Sequence, residues 1–132
     1  MFSRYSSLLL LLPLLALSRS VHDGVFSKAQ AERGQVAYMQ ECATCHGDAM
    51  NGGEAPELIG AEFMGRWKGN TVGALFQFIR KTMPSDNPGH LTSGEYAELT
   101  AFLLSSNGFP AGDKDLEDKA DALNDIRFDP KP

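Results

Sequence analysis

Cys42-Ala43-Thr44-Cys45-His46 is the stretch of this 132-residue chain whose residue types and spacing point most directly to chemistry. C-x-x-C-H reads as an attachment site for a c-type haem. Two thiols three residues apart, on about one helical turn, can each add to a vinyl group of one porphyrin. The next residue then lies under the ring, where its imidazole can ligate iron as the proximal ligand. Other uses of these residues fit less well. A thioredoxin-like redox pair opens a helix in a βαβ context, and no segment here alternates as a strand does. A zinc site on Cys42, Cys45 and His46 needs a fourth ligand, and His46 is too near in sequence for a relaxed tetrahedron with both thiols. A disulfide would close a tiny loop and leave His46 unexplained.

A haem iron has a second axial position. The candidates for it are Met39, Met50, Met64, Met83, His22 and His90. Met39 precedes the attachment site on the same helix, and Met50 follows His46 by four residues, so both belong to the proximal side. Met83 stands at a helix end, in a loop stiffened by Pro84 and Pro88. A ligand on a rigid loop costs less ordering entropy than one on a mobile loop. Met83 is therefore the favoured ligand, with Met64, His90 or an open position as alternatives. Met64 can equally be a packing residue, since methionine fills gaps.

Three helices must position these groups. Ser27-Lys28-Ala29-Gln30 reads as a capping box that starts the first, with Ala31, Gly34, Tyr38 and Cys42 at helical spacing. Thr71 opens the second, whose Val72, Leu75, Phe76 and Ile79 form one apolar stripe that stops before Met83-Pro84. Thr92-Ser93-Gly94-Glu95 is a second capping box and opens the third, with Tyr96, Leu99 and Leu103 on one face and Phe102 beside them. Asn107-Gly108 and Pro110 end it near Ser106. Gly47–Gly53 and 55–60 read as turn-rich loops.

Composition narrows the class. The chain is 42% hydrophobic and 22% charged, ordinary for one globular domain, with a net charge of −5 and no basic run, which argues against nucleic-acid binding. Arg4, the apolar run Leu8–Leu12 extended by Leu14–Leu17, and small polar Ser18-Arg19-Ser20 have the layout of a secretory signal peptide. Leu8 to Leu17 is too short to span ~30 Å of hydrocarbon, so no stable membrane insertion is expected after cleavage, which could follow Ser18 or Ser20. The expected organisation is a signal peptide over 1–20, one domain over 21–112 and a charged tail over 113–132. In the tail, Leu116, Leu123, Ile126 and Phe128 either pack a short helix or stay loose. A cut after Ser20 leaves 10 basic and 17 acidic residues, a charge of −7. A chain so acidic docks more readily on a basic partner face.

The order of helix, Cys-Ala-Thr-Cys-His-Gly, Pro-x-Leu-x-Gly turn, middle helix, Met-Pro and aromatic-bearing last helix resembles the class I cytochromes c over about 27–106. Thr82–Gly89, with Leu91, Tyr96, Phe102-Leu103-Leu104 and Asn107–Gly112, is similar to the small cytochromes c found beside or fused to pyrroloquinoline-quinone-dependent alcohol and sugar dehydrogenases. The resemblance implies an all-α class I cytochrome c fold, three main helices around one covalent haem c. It implies thioethers at Cys42 and Cys45, iron ligation by His46 and Met83, and a Pro56 carbonyl that accepts from the His46 imidazole. It places Trp67 where a tryptophan donates to a haem propionate, and Gly34 and Tyr38 against Leu99 and Phe102 where the first and last helices cross. Such a protein is a periplasmic one-electron carrier and not an enzyme. Its donor is a pyrroloquinoline-quinone-dependent dehydrogenase and its acceptor an oxidase or another cytochrome. The alternatives are a haem-bearing subunit of a dehydrogenase complex, or a haem sensor or peroxidase with a labile sixth ligand.

Overall fold

The computed structural model describes residues 18–130. Most of the expected signal segment, residues 1–17, lies outside the described residues. The described chain is built mainly of helices: α1 (Lys28–Glu41), the single turn α2 (Ala43–His46), α3 (Gly60–Trp67), α4 (Val72–Thr82), α5 (Ser93–Ser106) and the short α6 (Ala120–Leu123). Two strands of two residues each, β1 (Arg19–Ser20) and β2 (Ile126–Arg127), pair in parallel. No alternation in the sequence announces them, because their pairing comes from the tail folding back and not from any local pattern.

Local chemistry starts α4 and α5 where it was expected. Thr71 Oγ1 accepts from the Ala74 N–H at 3.1 Å. Thr92 and Glu95 form a full capping box, each side chain accepting from the other's backbone N–H. At α1 only half of the expected box is present. Ser27 Oγ accepts from the Gln30 N–H, but the Gln30 side chain does not reach back. It is buried, and its amide pairs with the backbone of Leu116 through Nε2 to the carbonyl at 2.9 Å and through Oε1 from the N–H at 2.6 Å. A buried peptide unit needs both partners, and that need outweighs the cap. The three expected helices also leave out residues 60–67. These form α3, with Met64 on it and Phe63 and Trp67 buried on one side.

α1 crosses α5 at Gly34. A Cβ there would lie 1.9 Å from the Glu98 carbonyl oxygen and 2.8 Å from the Phe102 Cβ, so only glycine lets the two backbones come this close. The Tyr38 and Phe102 rings pack beside the crossing, with centroids 5.4 Å apart. Asn107, at the end of α5, donates to the carbonyls of Leu58 and Leu103 and accepts from the Gly60 N–H, which ties the loop before α3 to α5.

The segment after Gly112 belongs to the core. Leu116, Leu123, Ile126 and Phe128 are buried, and α6 lies on α4 at Gly73, where a Cβ would meet Asn124 Oδ1 at 2.1 Å. The Phe128 ring meets Phe63 and Phe109 edge-on. Arg19 grips Asp125 through two nitrogens at 3.0 Å and donates to the Ala122 carbonyl.

Candidate functional site

α2 is short because Cys42 ends α1 with φ −126° and Gly47 stops the next turn at φ +89°. Between them the C-x-x-C-H residues make one turn that lies against a cleft of about 780 Å³. Cys42, Cys45 and His46 line this cleft, together with Pro56, Trp67 and Met83 and the apolar side chains of α3, α4 and α5. All six residues singled out in the sequence therefore come to one place.

The His46 ring is buried, and its Nδ1 lies 2.7 Å from the Pro56 carbonyl oxygen. A carbonyl can only accept, so Nδ1 carries a proton, and in the neutral ring Nε2 keeps its lone pair. Cys42 and Cys45 are free thiols. Burial, with smaller contributions from Glu41 and Cys45, pushes the Cys42 thiol up to about 11. Among the described residues no three His, Cys, Asp or Glu side chains converge to hold a metal ion, which weighs against the zinc arrangement.

The methionines separate clearly. Met39 is 46% exposed on α1. Met50 is buried in the loop after His46, with φ +60°. Met64 packs at the edge of the core from α3 and does not line the cleft. Met83 does line it, placed at the end of α4 by the C-cap bond of its N–H to Ile79. His22 contacts the Asp129 carbonyl and the Phe109 ring, and His90 pairs with Glu41 at 3.0 Å; neither lines the cleft.

Two tyrosines hold the flanking backbone. Tyr38 on α1 donates to the Gly47 carbonyl at 2.7 Å, directly after His46. Its hydroxyl is pushed up to about 12, chiefly by burial and then by the charges of Cys42 and Asp48. Tyr96 on α5 donates to the Met83 carbonyl at 2.7 Å. Trp67 is buried and edge-on to Phe78, and the Arg66 guanidinium lies 4.8 Å from the Phe78 centroid and 5.9 Å from that of Trp67. No described residue takes the indole N–H as a hydrogen bond, and among the described residues burial leaves no polar side-chain atom orphaned, so this N–H faces accessible space.

The residues present fit a porphyrin. The cleft is the size of a small-molecule site, walled by apolar and aromatic side chains, with an imidazole, a thioether and two thiols lining it. Comparison with known families agrees: residues 29–103, more than half of the chain, match the family described as cytochrome c oxidase, cbb3-type, subunit III. The chain belongs to this family. This cytochrome c domain carries covalently bound haem c, with Cys42 and Cys45 at the C-x-x-C-H position. No curated protein and no solved structure matches it.

The sequence reading missed the roles of Tyr96, Asn107 and Arg66 in this cytochrome. Tyr96 was assigned only to an apolar face. Its hydroxyl was the available signal, because a tyrosine at a core position needs a hydrogen-bond partner.

Proposed function

We propose that this cytochrome is an exported one-electron carrier, with His46 and Met83 as the two axial ligands of its haem. The observation that carries the reading is that Cys42, Cys45, His46 and Met83 line one cleft, while Met39, Met64, His22 and His90 lie outside it. Haem supplies a one-electron ferric/ferrous couple, raised by thioether ligation and burial. Cys42 and Cys45 hold the ring through thioethers. Pro56 fixes the His46 tautomer so that Nε2 faces the iron, as partners behind a metal ligand do. Met83 Sδ would be the second side chain to hold the iron, which would leave no open position for oxygen or peroxide, and the protein would carry electrons rather than act as an enzyme. The Trp67 indole N–H donates to a propionate, and the apolar walls exclude water. By resemblance the donor is a pyrroloquinoline-quinone-dependent dehydrogenase in the periplasm and the acceptor an oxidase or another cytochrome. The name of the matched family favours a second reading, a haem-bearing subunit held in a larger complex. Among the described residues no helix is long and apolar enough to cross a membrane.

Mass spectrometry and ligand substitution test the reading. The mature chain should carry one haem adduct that survives acid–organic extraction, and Cys42→Ala with Cys45→Ala should abolish it. Met83→Ala should keep the adduct, lose the far-red ferric–sulfur band and bind carbon monoxide. If Met64→Ala does this and Met83→Ala does not, the ligand assignment is wrong.

A further inference from the structure

The charges of the molecule are not spread evenly. Residues 18–130 hold 17 acidic and 10 basic side chains, a net charge of −7. The cleft is lined by Glu41, Glu54, Glu57, Glu62 and Asp86 against a single cation, Arg66, which leaves −4 of that total on one face. Glu54, Glu62 and Asp86 are exposed, and Glu41 and Glu57 are half-buried.

Away from the cleft, five of the twelve carboxylates have a cationic partner among the described residues: Asp125 with Arg19, Glu98 and Asp115 with Arg33, Glu32 with Lys28, and Asp129 with Arg127. On the cleft only Glu41 has a partner among the described residues, the imidazole of His90. Arg66 is spent on aromatic faces and makes no ion pair among the described residues. Arg80 and Lys81 stand on the last turn of α4 and do not line the cleft. A cleft of one charge sign with low-dielectric walls focuses the field at its mouth. Carboxylates that serve solubility alone do not need to gather there, where they repel one another.

We propose that the mouth of the cleft is an anionic docking face for a redox protein that presents a lysine- and arginine-rich surface. The inference rests on the electron-carrier reading, and it deepens that reading by giving the sign and place of the contact. Unpaired carboxylates at the rim contribute to encounter rate and orientation more than to final affinity, because they remain partly solvated in the complex. The segment 113–121 is the other acidic stretch, but it carries Lys114 and Lys119 and gives Asp115 to Arg33, so its field is partly cancelled.

The test compares two holoprotein variants with the same change in charge: Glu54→Lys/Glu57→Lys/Glu62→Lys at the rim, and Asp113→Lys/Asp118→Lys/Asp121→Lys on the tail. Two probes are used, a deca-lysine peptide followed by chemical-shift mapping on the ferrous protein, and electron exchange with a strongly basic cytochrome c across a salt series. The peptide should shift resonances around the rim of the unmodified protein. The rim variant should lose about tenfold or more in peptide affinity and in exchange rate at low salt, with a flattened salt dependence, and the tail variant less than about twofold. Glu→Gln replacements at the three rim positions should fall between. Equal losses in both variants, or shifts centred on the tail, overturn the proposal. Each variant is first checked for the haem adduct and a reversible potential. A chain without either sinks the carrier reading, whereas a loaded, redox-active chain with an indifferent rim sinks only the docking face.

Discussion

Tyr96→Phe removes one oxygen and should loosen Met83, the proposed iron ligand. The Tyr96 hydroxyl donates to the Met83 carbonyl at 2.7 Å, and the only other donor to that carbonyl among the described residues is the Gly89 N–H at 3.4 Å, a long contact. The Tyr96 ring is buried within α5, so phenylalanine keeps the packing and deletes the bond alone. Such a bond is worth about 1–1.5 kcal/mol net, rising to about 3 kcal/mol when the acceptor is left without a partner. The loss falls on the segment that carries Met83. An external ligand competing for the sixth position should therefore bind about tenfold more tightly, since about 1.4 kcal/mol corresponds to one decade. Imidazole titration of the ferric holoprotein measures this directly. Tyr38→Phe is the control, because it deletes the matching bond to Gly47 on the other side and should lower the melting temperature without raising imidazole affinity. Unchanged imidazole affinity in Tyr96→Phe, or an equal rise in both variants, would refute the assignment of Tyr96 as a positioning residue for Met83.

Gly34→Val should destabilise the holoprotein by about 3 kcal/mol or more, since a Cβ 1.9 Å from the Glu98 oxygen forces α1 and α5 apart; thermal melts read at the haem band measure it. Asp125 is held below the usual carboxylate range by its hydrogen bonds to Arg19. Its contribution is therefore present above the ordinary aspartate pKa of ~3.9 and is lost as pH falls through the lower folded value. Both side chains are partly exposed, so the contribution is at most about 1 kcal/mol, and in a chain that retains Arg19 the change Asp125→Asn should flatten that part of an acid-unfolding curve.

Features that depend on neighbours in the chain were legible, and those that depend on distant partners were not. Cys42, Cys45 and His46 act within one turn, so their spacing alone identified the chemistry. Thr71 and Thr92 cap α4 and α5 through residues three positions away, so both starts could be read directly. α3 escaped because Gly60 and Gly65 suggested turns, although Phe63 and Trp67 stand at i and i+4 on the face that becomes buried. Gln30 had two possible partners, and the closer one in sequence lost to the peptide of Leu116, far along the chain. Met83 could be preferred over Met64 from the stiffness of its loop, but the bond from Tyr96 that holds it exists only once α5 is in place.

The two tyrosines have a consequence for the speed of electron exchange. Tyr38 pins the backbone after His46 to α1, and Tyr96 pins Met83 to α5. These two helices meet without a gap at Gly34, so they form a single frame. When the iron gains or loses an electron, the preferred lengths of its axial bonds change slightly. A ligand on a slack loop would follow and then wait for surrounding solvent and chain to rearrange. With His46 and Met83 as the proposed ligands, both ligand segments would be tied to one stiff object, so little of the surrounding structure would have to move. The work of reorganisation that gates each transfer would then be small, and it would be set by the fit of a glycine against a carbonyl in a part of the fold that does not line the cleft.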